Sequence, residues 1–270
     1  MASFPNCDRF WGAAAKSRKF TEKHPFLLQM LDSSLPIPSF KHYVVQDAMY
    51  LTEFARCLRL LSTKSPPELK KRFEDFAVGA EEAEMGLHKG YFDVWKIKPI
   101  IGVQNNESEA GAEKVDFTPT TLMYTSWMLG ICSSEDFAYG VASLLACFWV
   151  YQYMGDVMLK ERQRQRDAGT YKENEVYDKW IDMYGGEEFE KEVVDYKTIA
   201  ETCAAGLDEQ GKKKVSARSE ATSINERIFY TNSSLRSSFE KMEDIFVRGC
   251  VLEYMFWTSS LELSMFPDFE

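Results

Sequence analysis

Single polar groups on otherwise apolar helical faces are the residues of this chain best suited to chemistry. In "YVVQDAMYLTEF", a helical repeat places one acid among aromatic residues, on a face formed by Tyr43, Asp47, Tyr50 and Phe54. A buried carboxylate must find hydrogen-bond donors or shift its pKa upward, because desolvation disfavours the charged form. A solvated Asp47, or one paired with a nearby base, is the competing interpretation.

A second acid interrupts an apolar face near the end of the chain. In "FVRGCVLEYMFWTSSLEL", one broad face carries Phe246, Cys250, Glu253, Phe256 and Trp257. A glutamic acid in such surroundings can keep its proton near neutral pH and donate it to a leaving group, which is the role of a general acid. The alternative is a glutamate at the solvated edge of a helix.

The stretch "LLACFWVYQYMG" contains a cysteine that can be either core or nucleophile. Cys147 shares a helical face with Tyr151, one turn further on. Buried thiols are most often inert, and the reactive species is the thiolate. Nothing nearby in the sequence supplies a base or a cation, so an activating group for Cys147 must come from another helix.

Two further tyrosines lie in segments of mixed apolar and polar character. Tyr124 belongs to "TPTTLMYTSWML", and Tyr184 ends "YDKWIDMY" just before a Gly-Gly turn. Tyrosines of helical proteins commonly pack their rings in the core and hydrogen-bond their hydroxyls to backbone. In a cleft, the same side chains can stack on a flat heterocycle and orient it.

Composition excludes several classes of function. The 270 residues carry a formal net charge of −10, which disfavours nucleic acid and anionic membranes as partners. The six cysteines include no C-x-x-C pair, and the three histidines include only one acid–histidine spacing, Glu84 and His88, so neither a disulfide framework nor a metal site is predicted. No phosphate-binding glycine motif occurs, and no cofactor is expected.

The amino-terminal segment lacks an apolar core of signal-peptide length, and no later run is predicted to span a bilayer. A cytoplasmic protein is therefore expected.

Helical spacing of apolar residues dominates the chain and predicts an all-α fold in one domain. Predicted helix starts are Ser39, a capping box "SPPE" at 65–68, Thr118-Pro119, and "SSED" at 133–136 before the helix with Cys147. Later helices are expected over 177–184, 187 to about 205, and roughly 223–263. The polar stretches 102–116 and 206–221 are predicted to be loops or insertions.

Six segments, in order, resemble the TenA / thiaminase II family. They are "HPF" at 24–26, "FKHYVVQDAMYLTEFAR" at 40–56, "YTSWM" at 124–128, "LLACFWVYQYMG" at 144–155, "YDKWIDMYGGEEF" at 177–189 and "EYMFW" at 253–257. The resemblance covers most of the chain and implies a haem-oxygenase-like helical bundle without haem, assembled as a homo-oligomer, commonly a tetramer, with a dimer as the alternative. It implies hydrolysis of 4-amino-5-aminomethyl-2-methylpyrimidine to the 5-hydroxymethyl compound and ammonia in thiamin salvage, and in many members cleavage of thiamin into pyrimidine and thiazole.

The resemblance also implies residue roles. Cys147 matches the branch of the family that carries an active-site cysteine, and would add to the ring carbon next to the substituted position. Asp47 would hydrogen-bond the aminopyrimidine and assist its protonation, and Glu253 would protonate the departing amine or return the proton from water. The resemblance further implies a set of substrate-binding aromatic residues: Tyr50, Tyr124, Tyr151, Tyr184 and Phe256. The two polar stretches, and the charged "KERQRQRDAGTYKENEV" after the cysteine helix, differ from compact members and bear on subunit contacts and pocket access.

Two other functions compete with hydrolysis. A binding or regulatory protein could keep the pyrimidine pocket without turnover, and a metal-dependent oxidase of the same broad fold would need bound iron. The three histidines make the oxidase the least favoured of the three.

Overall fold

The computed structural model describes residues 3–96, 99–100, 113–221 and 237–267, and these are almost entirely helical. In chain order the helices are α1 (Pro5–Ala13), α2 (Ala15–Thr21), α3 (Pro25–Leu31), α4 (Ile37–Lys64), α5 (Lys70–Gly79), α6 (Met85–Trp95), α7 (Pro119–Ser134), α8 (Phe137–Asp167), α9 (Glu175–Tyr184), α10 (Glu187–Ala221) and α11 (Ser238–Leu261). A 3₁₀ turn (Pro67–Leu69) precedes α5, and a π-helical turn (Ala80–Glu84) joins α5 to α6. Two short strands, β1 (Pro99–Ile100) and β2 (Glu113–Lys114), pair in parallel. The predicted all-α fold class is confirmed.

Two helix starts agree with the sequence. Thr118 caps α7, since its side chain accepts a hydrogen bond from the Thr121 backbone N–H, and α8 begins directly after Asp136. Of the helix expected over roughly 223–263, the structure describes the part from 237 onward, where Ser237 and Glu240 form a reciprocal capping box.

Two other predicted starts are wrong. Helix α4 begins at Ile37 after Pro36, so Ser39 lies in its first turn and donates to the Leu261 carbonyl at 3.3 Å. Pro38 is the second residue of the helix, and proline is tolerated in the first turn because its missing N–H would have no partner there. Ser65 ends α4 and donates to the Ser62 carbonyl instead of starting α5 with a capping box.

The polar stretch 206–221 is helical, so the prediction of a loop there is wrong. Helix α10 continues through it to Ala221. The stretch is rich in Glu, Gln, Lys, Ala and Arg, which favour helices, and these residues outweigh its two glycines. Most of the other polar stretch, residues 101–112, lies outside the described residues.

Helix α8 is the central helix of the bundle. It packs against α4, α7, α9, α10 and α11, and residues 139–151 are buried on every face. Contrary to the sequence expectation, α8 is long and apolar enough by length and composition to cross a membrane, but 78% of its most apolar 18-residue window is buried inside the protein. Burial on all sides explains its apolar sequence, as it does for core helices.

Two glycines allow the neighbouring helices to approach α8 closely. A Cβ on Gly249 of α11 would lie 2.6 Å from the Ala146 Cβ, one residue before Cys147. A Cβ on Gly155 would lie 2.3 Å from the carbonyl carbon of Tyr184 at the end of α9. Both distances are far below van der Waals contact, so these crossings require glycine, and they set the positions of the residues described next.

Candidate functional site

The chemistry-bearing residues predicted from sequence come from different helices and are all buried. Asp47 on α4 is 3% exposed, Cys147 on α8 is 8% exposed and Glu253 on α11 is 1% exposed. Burial of two acids needs explanation, because moving a carboxylate out of water is costly unless it is protonated or hydrogen-bonded. The surroundings of each acid supply that explanation.

Glu253 is held by Tyr124 of α7. The Tyr124 hydroxyl donates to Oε1 of Glu253 at 2.5 Å. Burial raises the pKa of the Glu253 carboxyl from 4.5 to about 8; the Tyr124 hydrogen bond opposes this rise and the negative charge of Asp47 adds to it. Glu253 therefore carries its proton at neutral pH, as a general acid requires. The contribution from Asp47 also shows that the two acids lie close enough to interact.

Two polar groups contact one oxygen of Asp47. The Tyr43 hydroxyl donates to Oδ2 at 3.0 Å, and His88 Nε2 lies 3.0 Å from the same oxygen. Tyr43 in turn accepts a hydrogen bond from Trp180 Nε1 at 3.0 Å. The alternative of a solvated Asp47 is thus excluded by the structure, and the partner on α6 is a histidine.

Cys147 lies beside the hydroxyls of Tyr50 and Tyr124. Burial raises the pKa of Tyr50 well above its ordinary value, and the proximity of Cys147 adds to the rise, with smaller contributions from Tyr124 and Glu253. The Tyr50 and Tyr124 ring centroids are 4.9 Å apart. The Tyr50 hydroxyl is buried and has no acceptor at hydrogen-bonding geometry among the described residues. A buried donor beside a thiol can stabilise a thiolate.

Aromatic rings surround these groups. Phe256 on α11 lies 5.8 Å from the Tyr50 ring and 5.9 Å from the Tyr43 ring, centroid to centroid. Tyr151 contacts the Tyr184 ring at 4.8 Å, and its pKa is raised first by burial and then by Tyr43, Asp47, Glu253 and Tyr184. Tyr151 therefore lies near both acids, and every residue predicted for the site belongs to one cluster.

Three side chains that sequence reasoning did not assign to the site also contact it: Tyr43, His88 and Trp180. The position of Tyr43 one turn before Asp47 was a local signal, because residues four apart share a face. His88 and Trp180 reach the site from α6 and α9, and no local pattern links them to Asp47. His88, which follows Glu84 by four residues in the sequence, lies with Nε2 3.0 Å from Oδ2 of Asp47. Within the described parts of the chain, no group of three or more His, Cys, Asp or Glu residues is arranged to hold a metal ion.

Comparison with known proteins gives the same result as the motifs. The chain is 32% identical over 247 residues to the "Aminopyrimidine aminohydrolase" of Bacillus subtilis (strain 168), covering 91% of this chain and 85% of that protein. It is 30% identical over 221 residues to the protein of the same name from Halalkalibacterium halodurans, covering 81% of this chain and 86% of that protein.

Among solved structures, a "TenA homologue protein" from P. horikoshii OT3 superimposes with a TM-score of 0.71 at 20% identity, covering 95% of this chain and 98% of that one, which supports a shared fold. A family model described as "TENA/THI-4/PQQC family" matches residues 12–233, which is most of the chain. The resemblance found from the six motifs is confirmed. The helical fold, the named relatives and the family-model match over most of the chain agree. This chain belongs to the TENA/THI-4/PQQC family.

Proposed function

We propose that this protein hydrolyses 4-amino-5-aminomethyl-2-methylpyrimidine to the 5-hydroxymethyl compound and ammonia, as an aminopyrimidine aminohydrolase of thiamin salvage. One observation carries the proposal: a thiol, a protonated glutamic acid and a hydrogen-bonded aspartate occupy one aromatic-lined cluster. The names of the two relatives at 30% identity or more support the same reaction.

In this mechanism, Cys147 acts as the nucleophile. Its thiolate adds to the pyrimidine carbon next to the substituted position, while Asp47 hydrogen-bonds the aminopyrimidine and assists protonation of a ring nitrogen. Addition breaks aromaticity and weakens the exocyclic CH2–N bond. The buried Tyr50 hydroxyl lies near Cys147 and supplies a donor for its charged form, whereas the Tyr124 hydroxyl donates to Glu253.

Glu253 serves as the acid and then the base. Its raised pKa lets it donate a proton to the departing nitrogen, so that ammonia leaves and an exocyclic methylene remains. Water adds to that methylene carbon and returns a proton to the Glu253 carboxylate. The bond to Cys147 then breaks with its electron pair returning to sulfur as the thiolate, the ring nitrogen gives up its added proton on the Asp47 side, and the aromatic hydroxymethyl product is released.

Binding of the flat ring is assigned to the aromatic residues. Tyr50, Tyr124 and Phe256 enclose one part of the cluster, and Tyr151 and Tyr184 enclose another. Rings at centroid separations of about 5 to 6 Å form walls on which a heterocycle can stack. Thiamin carries the same aminopyrimidine with a different leaving group, so we extend the proposal to thiamin cleavage as a second reaction of the same site.

Purified protein incubated with the aminomethyl pyrimidine tests this function. We expect stoichiometric release of ammonia and hydroxymethyl pyrimidine, with thiamin assayed in parallel by release of its thiazole. Tight binding of the hydroxymethyl pyrimidine without ammonia release would overturn hydrolysis and identify a non-catalytic binding protein.

Self-association is also part of the proposal. A groove of about 580 Å³ between α2 and α11 is lined by Ala13, Phe20, Val247, Val251 and Tyr254. Phe20 is 57% exposed there, and exposed apolar surface is typical of protein interfaces. We propose a homo-oligomer, by resemblance a tetramer. The molar mass from light scattering tests this, since a monomer at all concentrations would contradict it.

A further inference from the structure

The hydrogen bonds on Asp47 are asymmetric between its two oxygens. Tyr43 and His88 both contact Oδ2, and Trp180 fixes Tyr43 through a further hydrogen bond. The Asp47 and His88 side chains are only 4% and 2% exposed. A carboxylate contacted by Tyr43 and His88 on one oxygen has a fixed orientation, which leaves Oδ1 to meet a ligand.

The second nitrogen of His88 indicates which tautomer is present. Nδ1 is buried and has no hydrogen-bond partner among the described residues. A hydrogen on Nδ1 would be left unpaired, and Nε2 would then present a lone pair to a carboxylate oxygen. Nδ1 has no partner in either tautomer, so the contact at Nε2 decides, because two acceptor atoms 3.0 Å apart repel each other. The hydrogen of the neutral ring therefore belongs on Nε2, which donates to Asp47.

We propose that His88 is a positioning residue for the aminopyrimidine reaction: its Nε2–H donates to Oδ2 of Asp47 and thereby presents Oδ1 to the amino group and ring nitrogen of the substrate. This inference rests on the proposed function for its catalytic consequence. The role differs from metal ligation, which a histidine four residues after an acid would otherwise suggest. Helix α6 thereby gains a function, because it carries His88, which contacts Asp47.

Substitution of His88 separates positioning from packing. His88→Leu removes the donor, whereas His88→Gln keeps an N–H donor of similar reach. We expect His88→Leu to lower kcat/KM and the affinity for hydroxymethyl pyrimidine by about 10- to 100-fold, the size of effect typical of losing a hydrogen bond to a charged group. His88→Gln should restore both quantities to within about threefold of wild type.

His42 provides the matched control. Its Nε2 is also buried without a hydrogen-bond partner among the described residues, and it lies on the same helix as Asp47. His42→Leu should leave kcat/KM and affinity near wild-type values. If His88→Leu behaves like His42→Leu, or if His88→Gln is impaired as severely as His88→Leu, the positioning role is wrong.

A spectroscopic readout tests the inference without activity. The chain has three histidines, so nitrogen-15 NMR of wild type and His88→Gln identifies the His88 ring signals by their disappearance. We expect the Nε2–H tautomer, and an Nδ1–H tautomer would overturn the proposal. A wild-type protein that releases no ammonia would contradict the proposed function, while the tautomer would still decide whether His88 donates to Asp47.

Discussion

Asp47 and Glu253 are both buried acids, but their surroundings differ. Asp47 is contacted on one oxygen by the Tyr43 hydroxyl and by His88 Nε2. Glu253 has one donor, Tyr124, and burial outweighs it, so its pKa rises to about 8. Such a contrast is how a single site can hold a hydrogen-bonding carboxylate and a proton donor together.

Tyr124→Phe should move the alkaline limb of the pH–rate profile to higher pH. The Tyr124 hydroxyl lowers the pKa of Glu253 by donating to the carboxylate, so its removal raises that pKa further. A general acid works only while protonated, and activity should then persist to higher pH even though the maximal rate falls. The measurement is kcat/KM against pH.

Tyr153→Phe is the matched control for Tyr124→Phe. The Tyr153 hydroxyl also donates to a glutamate, Glu22, at 2.7 Å, but outside the cluster described above. Its profile should coincide with that of wild type. An alkaline limb that moves to lower pH in Tyr124→Phe would contradict the assignment of Glu253 as the acid.

Local sequence predicts the central residues of the proposed site but not their hydrogen-bond partners. Asp47, Cys147 and Glu253 were recognisable because each interrupts an apolar helical face, and the family resemblance joined them. His88 and Trp180 could not be predicted from local sequence, because their contacts with Asp47 and Tyr43 join helices that are distant in sequence. Which donors a buried acid finds is decided by tertiary packing.

At the scale of the elements, the crossing of α8 with α9 sets the position of Tyr184. Gly155 permits that crossing, because any Cβ there would overlap the Tyr184 and Gly185 backbone. The positions of most helices follow from apolar spacing and start signals such as Thr118-Pro119. The length of α10 does not follow from such signals. Its polar second half has no apolar face to detect and is helical because its residue types favour helix.

Gly155→Ala should lower both stability and ligand affinity. Backbone atoms cannot yield as a side chain can, so α9 must move away from α8, at a cost of about 1 to 3 kcal/mol in the free energy of unfolding. Displacement of Tyr184 should weaken binding of hydroxymethyl pyrimidine. Urea unfolding and calorimetric titration measure the two effects.

Gly12→Ala in α1 serves as the control for Gly155→Ala. A Cβ on Gly12 meets no atom within 4 Å. Alanine favours helix over glycine, so this variant should be unchanged or up to about 1 kcal/mol more stable. Equal stability of the two variants would show that the α8–α9 crossing does not depend on Gly155.

At the scale of the whole molecule, the buried acid makes folding stability depend on pH. The pKa of Glu253 is 4.5 as an ordinary glutamic acid and about 8 in the folded protein. Below pH 4.5, Glu253 is protonated in both the folded and the unfolded protein, so it does not reduce the free energy of unfolding. Between pH 4.5 and about pH 8, Glu253 is protonated only in the folded protein, so the free energy of unfolding falls as pH rises. Above about pH 8 the folded protein has also lost this proton, and the decrease is complete.

Glu253→Gln should remove that pH dependence. The variant keeps an acceptor for the Tyr124 hydroxyl but cannot ionise. Each pKa unit corresponds to about 1.4 kcal/mol, so we expect the variant to gain about 3 to 5 kcal/mol over wild type at pH 9 and little at pH 4.5. Thermal unfolding of both proteins across this range is the measurement. A gain independent of pH would contradict a protonated Glu253 in the fold.

The central claim is that Cys147 is the nucleophile in an intact pyrimidine site. Cys147→Ser tests it most directly when turnover and binding are measured on the same preparation, with Cys203→Ser in α10 as the control at a half-buried cysteine. We predict that the affinity of Cys147→Ser for hydroxymethyl pyrimidine stays within about threefold of wild type. The rate of ammonia release should fall by at least about a thousandfold, because a serine hydroxyl ionises far less readily than a thiol. Undiminished ammonia release in Cys147→Ser would contradict the account.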